Sequence, residues 1–171
     1  MTTITEKQAD MKSVWAISSI LEGVAQCYDE WAIFTPRCEP YWPFLSSLEG
    51  ITRVLTAARG ITLACESQKS AVVFVPNRQF TRAIELASTL TLSMPLVLVL
   101  EDYPMLAPQL CPRESAARAG LCVIEPSDAS EVSGCAAAAV KMSTASRAPC
   151  VLITHHWLLG GSASVECAVE L

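Results

Sequence analysis

Two apolar runs decide the fold of this chain: Ala71-Val72-Val73-Phe74-Val75 and Pro95-Leu96-Val97-Leu98-Val99-Leu100. Because neither run alternates with polar residues, both predict strands that are buried on two faces, as in a parallel sheet. Residues 81–92 between them carry apolar side chains at helical spacing, which predicts a right-handed strand–helix–strand unit. The second run ends at Glu101-Asp102-Tyr103-Pro104, so it delivers two acidic residues to the sheet edge where α/β proteins bind ligands.

The same alternation of strand and helix patterns extends to both sides of this unit. It predicts further helices over residues 13–27, 113–119 and 129–145, and further strands over residues 31–35, 121–124 and 149–154. Strands separated by helices indicate an α/β fold with three layers, a doubly wound and mostly parallel sheet of the flavodoxin-like kind. We expect a flexible N-terminus over residues 1–12, one domain over 13–159 and a C-terminal tail over 160–171.

The segment after the first strand has two interpretations. Ser46-Ser47-Leu48-Glu49 has the Ser-x-x-Glu pattern of a capping box, and apolar residues continue at helical spacing to Cys65, which predicts one helix. Alternatively, a helix ends at Gly60, and Ile61-Thr62-Leu63-Ala64-Cys65 is a strand that ends at Glu66. Periodicity alone does not decide between them. The choice determines whether Glu49 or Glu66 faces a site.

Composition excludes several classes of protein. Of the 171 residues, 51% are hydrophobic and 17% charged, so the sheet is buried on both faces, an apolar surface meets another subunit, or both. The net charge is −5 and there is no basic cluster, which argues against nucleic-acid binding. No apolar window is long enough for a membrane helix, and the N-terminus lacks the apolar core of a signal peptide. We expect a cytoplasmic protein.

Cysteine and histidine spacing does not predict a metal site. The eight cysteines include no C-x-x-C pair, and at least ten residues separate neighbouring cysteines, which argues against zinc and iron–sulfur ligation. We therefore interpret most of them as small core residues. His155 and His156 follow the last strand, and adjacent side chains of an extended segment point in opposite directions, so at most one of them can face a given pocket.

The common nucleotide and hydrolase motifs are missing. The chain contains no G-x-G-x-x-G, no G-x-x-x-x-G-K-[ST] and no G-x-S-x-G. The first two motifs supply the glycine turn that lets phosphate approach backbone amides, and the third supplies the nucleophile of an α/β-hydrolase. Dinucleotide, P-loop and α/β-hydrolase functions are therefore not expected.

Two segments carry a resemblance to a known family. Residues 101–109, Glu-Asp-Tyr-Pro-Met-Leu-Ala-Pro-Gln, resemble the Asp-Asp-Pro-x-Met-His-Ser-Ser-Gln segment of indolepyruvate ferredoxin oxidoreductases. Residues 117–128 resemble the segment of that family that ends in Glu-Pro-Ser-Asp, and Glu125-Pro126-Ser127-Asp128 at the start of a helix is the most specific part. In that family both segments lie in the pyrimidine-binding (PYR) domain of thiamine diphosphate enzymes. The resemblance is densest over residues 71–128.

The resemblance implies a partner chain. Thiamine enzymes hold the diphosphate and Mg²⁺ through a Gly-Asp-Gly motif on a separate pyrophosphate-binding (PP) domain, and this chain has no Gly-Asp-Gly. A PP-domain subunit is therefore implied, which would hold the Mg²⁺ and share the thiamine diphosphate in a hetero-oligomer such as a dimer of heterodimers. A small-molecule 2-oxoacid is the implied substrate, and decarboxylation or carboligation the implied reaction. A 2-oxoacid ferredoxin oxidoreductase subunit and a non-catalytic structural or regulatory PYR-like subunit are the alternatives.

The resemblance also implies site residues. The family uses one glutamate to activate the aminopyrimidine ring, and this glutamate opens a helix that runs on as Ala-Ala-Gly-Ala. Glu49, followed by Ala57-Ala58-Arg59-Gly60, is the candidate for that role, and Glu66 is the runner-up. The predicted cofactor-binding residues follow the strands: Thr35, Pro36, Asn77, Asp102 and Tyr103. Arg78 and Gln79 are the predicted substrate-binding residues, and their loop departs from the glycine-rich loop of the family.

Overall fold

The computed structural model describes residues 17–28, 30–36, 50–102 and 111–155. Its helices are α1 (residues 17–25), α2 (Ala57–Ser67), α3 (Phe80–Ala87), α4 (Pro112–Arg118) and α5 (Val132–Ser146). Its strands are β1 (Trp31–Thr35), β2 (Ile51–Arg53), β3 (Ser70–Val75), β4 (Leu96–Asp102), β5 (Cys122–Ile124) and β6 (Cys150–His155). Short 3-10 turns at Asn77–Gln79 and Ala129–Glu131 precede α3 and α5.

All six strands of the described sheet are parallel, in the order β2-β1-β3-β4-β6-β5. Helices α2 and α3 cover one face, where Ile61 and Ile84 belong to the same core cluster as Val73. Helices α1 and α5 cover the other face, where Ile20 and Val140 belong to a separate cluster of buried apolar residues. The predicted three-layer, doubly wound α/β fold is confirmed.

The core lies on both faces of β3 and β4, as the two apolar runs predict. All six residues of β3 are buried. Because side chains alternate along a strand, Val73 and Val75 join the core under α2 and α3, whereas Val72 and Phe74 join the core under α1 and α5. Strand β3 is therefore apolar from Ala71 to Val75, whereas a strand buried on one face only would alternate polar and apolar residues.

Both interpretations of the segment before Glu66 are wrong. Ile51–Arg53 is the edge strand β2, and α2 begins only after Thr56, whose hydroxyl accepts a hydrogen bond from the Arg59 amide at 3.2 Å. Residues 61–65 are helical. The strand was missed because it has three residues, two of them exposed, and therefore no apolar pattern. The helical spacing of the apolar residues across this boundary is coincidental.

One further helix end differs from the predicted one. Helix α3 ends at Ala87 and not at residue 92. The hydroxyls of Ser88 and Thr89 donate to the carbonyls three residues earlier, which favours a turn over another helical turn. Helix α4 ends as predicted, because Gly120 follows it with a φ of +74°.

The predictions for residues 1–12 and for the tail 160–171 lie outside the described residues. Among the helices of the described ranges, none combines the length and the apolarity that crossing a membrane requires.

Helices α1 and α5 are in unusually close contact at Gly23. A Cβ atom at this position would lie 2.1 Å from the Ser133 carbonyl oxygen and 2.9 Å from the Ala136 Cβ. The Cys27 thiol also contacts the Ala137 carbonyl oxygen at 3.7 Å. The backbones of the two helices therefore approach each other through small residues, and glycine at position 23 allows it.

We expect Gly23→Ala to lower the free energy of unfolding by about 1–3 kcal/mol, because the added methyl group must push α1 away from α5. Gly134→Ala on α5 is the matched control, because a Cβ there meets nothing within 4 Å. It should raise stability by up to about 1 kcal/mol through helix propensity. Urea unfolding of both variants tests this, and equal stability of Gly23→Ala and the wild type would contradict the contact.

Candidate site at the carboxyl edge of the sheet

Parallel pairing brings the carboxyl ends of the strands to one side of the sheet, which we call the carboxyl edge. It consists of the residues that end or follow the strands, namely Thr35 and Pro36 after β1, Asn77–Gln79 after β3, Asp102 and His155 at the ends of β4 and β6, and Glu125 to Asp128 after β5. The chain leaves β1 toward β2 on one side and leaves β3 toward β4 on the other side. A crevice between diverging strand exits of this kind is where open α/β sheets bind ligands.

Hydrogen bonds fix the backbone at the end of β1, at Thr35 and Pro36. Both are buried, and the Thr35 hydroxyl donates to the Pro36 carbonyl oxygen at 2.7 Å. The Thr35 carbonyl oxygen accepts a hydrogen bond from the Val54 amide at 3.1 Å, which ties the exit of β1 to the exit of β2. These contacts give Thr35 a structural role at the crevice.

The exit of β3 is tied to the start of α2. The side-chain oxygen of Gln79 accepts a hydrogen bond from the Ala57 amide at 2.6 Å and thereby satisfies one of the free amides of the helix N-terminus. Asn77 is half-buried and Arg78 is exposed. Gln79, predicted to bind substrate, therefore positions the loop, and the loop presents Arg78 to solvent.

Leu55 lies just before the N-terminus of α2. Its side chain is 94% exposed, although the neighbouring Val54 is buried. Thr56 caps the helix, and the first turn carries no acidic residue. The opening of this helix therefore carries an apolar side chain and a capping hydroxyl in place of a carboxylate.

The structure does not place Glu66, the runner-up for the activating glutamate, at the carboxyl edge. Glu66 lies in the last turn of α2, near the start of β3 and so at the opposite edge, where it is exposed and 3.8 Å from the Arg59 guanidinium. Glu49 lies outside the described residues. The prediction that Glu49 opens the helix carrying Ala57 is wrong, because strand β2 separates them.

The pairing of β4 with β6 places Asp102 beside His155. Asp102 is paired with His155 across β4 and β6, so both residues stand at the carboxyl edge. Tyr103 and His156 lie outside the described residues.

The residues after β5 build the start of α5. Arg113 on α4 binds the Glu125 carboxylate through two nitrogens, a two-pronged ion pair. Asp128 accepts hydrogen bonds from the Ser130 amide at 2.8 Å and the Glu131 amide at 3.3 Å. The hydroxyl and amide of Ser130 lower the pKa of Asp128. Asp128 thus caps the 3-10 turn that leads into α5.

Glu131 completes a reciprocal cap, because its carboxylate accepts from the Ser127 amide at 2.8 Å and from the Ser127 hydroxyl at 2.9 Å. Glu-Pro-Ser-Asp, the most specific part of the family resemblance, thus has a structural role in starting α5.

A second concavity lies at the opposite edge, between the end of α2 and the loop before β4. It has a volume of about 60 Å³ and is lined by Cys65, Lys69 and Met94, among other residues. This space admits a few water molecules and no cofactor. Within the described ranges, no three or more histidine, cysteine or acidic residues form a group that could hold a metal ion.

No protein-family model matches the chain, and a search of curated proteins finds no significant match. The fold and the position of the crevice define the class, an α/β protein with a doubly wound parallel sheet and a candidate ligand site at its carboxyl edge. Any narrower assignment rests on the residues at that edge.

We expect Gln79→Met to lower the free energy of unfolding by about 1 kcal/mol, because it removes the acceptor of the Ala57 amide. Gln79→Glu should retain stability, since it keeps an acceptor and adds a negative charge at a helix N-terminus. The control Arg78→Met changes an exposed neighbour and should leave stability within about 0.5 kcal/mol of the wild type. Denaturant unfolding measures all three, and a Gln79→Met variant as stable as Arg78→Met would contradict the positioning role.

Proposed function

We propose that the chain is the PYR-type subunit of a two-chain thiamine diphosphate-dependent enzyme that acts on a 2-oxoacid by decarboxylation or carboligation. The observation that carries the proposal is the position of the predicted site residues and of the Glu-Pro-Ser-Asp segment. Thr35, Asn77, Asp102 and Glu125 belong to four distant parts of the sequence, and parallel pairing of β1, β3, β4, β6 and β5 gathers them at one edge. This edge is a candidate for one half of a shared active site.

The other half belongs to a partner. A Gly-Asp-Gly motif is missing from all 171 residues, so a PP-domain subunit would hold the diphosphate and Mg²⁺. Thiamine diphosphate, when bound, supplies a carbon nucleophile and an electron sink for 2-oxoacid chemistry. Half-buried Asn77 and the exposed Leu55 suit the wall of a cleft for its ring, but the opening of α2 lacks the activating carboxylate. The described residues therefore fit this cofactor only in part, and Glu49 is proposed to supply the carboxylate.

Arg78 has the chemistry to bind the substrate. Its guanidinium is exposed at the carboxyl edge and can donate two parallel hydrogen bonds to a carboxylate. The Gln79 contact to α2 holds the loop that carries it, so the position of Arg78 is set by the scaffold.

One observation favours a second function, a non-catalytic PYR-like subunit. The helix that runs Ala57-Ala58-Arg59-Gly60 opens with Leu55-Thr56 and not with a carboxylate. A leucine side chain cannot transfer a proton, so this helix opening does not supply the activating group. In this case the chain would assemble with the PP-domain subunit and leave ring activation to another chain.

The first experiment tests assembly. The chain is co-expressed with a Gly-Asp-Gly-bearing protein encoded beside its gene, and thiamine diphosphate binding is measured by calorimetry for the chain, the partner and the complex. We expect binding only in the complex, because this chain lacks the diphosphate site. Failure to form a complex, or cofactor binding by this chain alone, would contradict both functions.

The second experiment separates the two functions by activity of the complex. If Glu49 activates the ring, Glu49→Gln should lower 2-oxoacid turnover by about 10²–10⁴-fold and leave assembly intact. Glu66→Gln, at the opposite edge, is the matched control and should retain full turnover. If Glu49→Gln leaves turnover unchanged, the catalytic role is wrong and the non-catalytic function is favoured.

A further inference from the structure

Two cysteines face each other across the last two strands of the described sheet. Cys122 begins β5, Cys150 begins β6, and the two residues are directly paired in the parallel register. Neighbouring strands lie about 4.8 Å apart. That spacing falls within the range of Cα separations, about 4.4–6.8 Å, that a disulfide bridges.

The two side chains lie on the same face of the sheet, under α5. Cys150 is fully buried in the core cluster that contains Val97 and Leu152, and Cys122 packs against the edge of this cluster. Cys122 is only half-buried, because β5 is the outer strand of the described sheet. Cys122 is therefore the more exposed member of the pair, and Cys150 is the buried one.

The apolar surroundings of Cys150 favour an uncharged disulfide over a charged thiolate. Burial raises the pKa of the Cys150 thiol to about 12, and the neighbouring Cys122 thiol adds to this rise. A metal thiolate would bring negative charge into this apolar cluster, which is costly. A disulfide is uncharged, so oxidation joins the two sulfurs without that cost.

We propose that Cys122 and Cys150 form a redox-active dithiol that hydroperoxides oxidise to a cross-strand disulfide. In the first step the Cys122 sulfur attacks the peroxide, the O–O bond breaks, the alcohol or water leaves with the thiol proton, and Cys122 becomes a sulfenic acid. In the second step the Cys150 sulfur attacks the Cys122 sulfur, the S–O bond breaks and water leaves with the Cys150 proton. The two sulfurs lose two electrons in total, and the peroxide gains them.

The bond would fasten a short edge strand to the sheet. Strand β5 has three residues, and Glu125 and Asp128 at the carboxyl edge follow it directly. Oxidation therefore restrains one side of the candidate site. The thiol pair itself does not depend on the proposed function.

Peptide mapping of the full-length native protein tests the pair. Trypsin cuts after Arg118, Lys141 and Arg147, so Cys122 lies in fragment 119–141 and Cys150 in fragment 148–171. After hydrogen peroxide treatment and alkylation, we expect these two fragments joined, with a mass two hydrogens below their sum, and separated again by a reductant. Fragmentation must place the bond at Cys122 and Cys150, because Cys135 and Cys167 share the same fragments.

Variants supply the controls. Cys122→Ser removes the half-buried partner and should abolish the joined fragments, whereas Cys65→Ser, on the exposed face of α2, should leave them unchanged. The oxidised wild type should unfold at a higher urea concentration than the reduced protein, since the bond restricts the unfolded chain. A bond found only when the protein is oxidised in urea, or fragments that stay separate while Cys65 is oxidised, would overturn the proposal.

Discussion

The structure depends on the parallel pairing of β3 between β1 and β4. Every residue of β3 is buried, so its backbone groups must be paired on both sides and both of its faces must be covered by helices. Parallel neighbours cannot be joined by a tight turn, so the chain has to cross back through longer connections, and those after β2, β3, β4 and β5 contain helices. All carboxyl ends therefore meet at one edge, whatever the loops contain.

This edge is stiffened by contacts between segments that are distant in sequence. Gln79 joins the exit of β3 to the start of α2, Val54 joins the exit of β2 to Thr35, and Arg113 joins α4 to Glu125. Each contact gives a residue at this edge a structural partner, so Thr35, Gln79 and Glu125 act here as scaffold. The groups left facing solvent, Arg78 and Leu55, are those that a ligand or a partner would meet.

The fold could be predicted from the sequence because its central strands are buried on both faces. The runs in β3 and β4 could be predicted because a strand covered on both faces needs no polar alternation, and the start of α5 could be predicted because Asp128 and Glu131 suit a helix N-terminus. Strand β2 could not be predicted, since two of its three residues are exposed. Its neighbour Leu55 also falls at helical spacing from the apolar residues of α2. The assignment of Glu49 to the helix opening failed for that reason. Thr56, as a capping residue before Ala57-Ala58-Arg59-Gly60, was the signal that could have located it.

Hydrogen exchange in the free chain and in a complex with the proposed PP-domain subunit tests most directly whether the carboxyl edge faces such a partner. We expect the amides of β3, β4 and β6 to be equally protected in both states, because they are already buried. Residues 76–79 and 125–128 should gain protection in the complex. Gain of protection at the opposite edge, at residues 68–69 and 91–95, with none at 76–79, would contradict the proposed half-site.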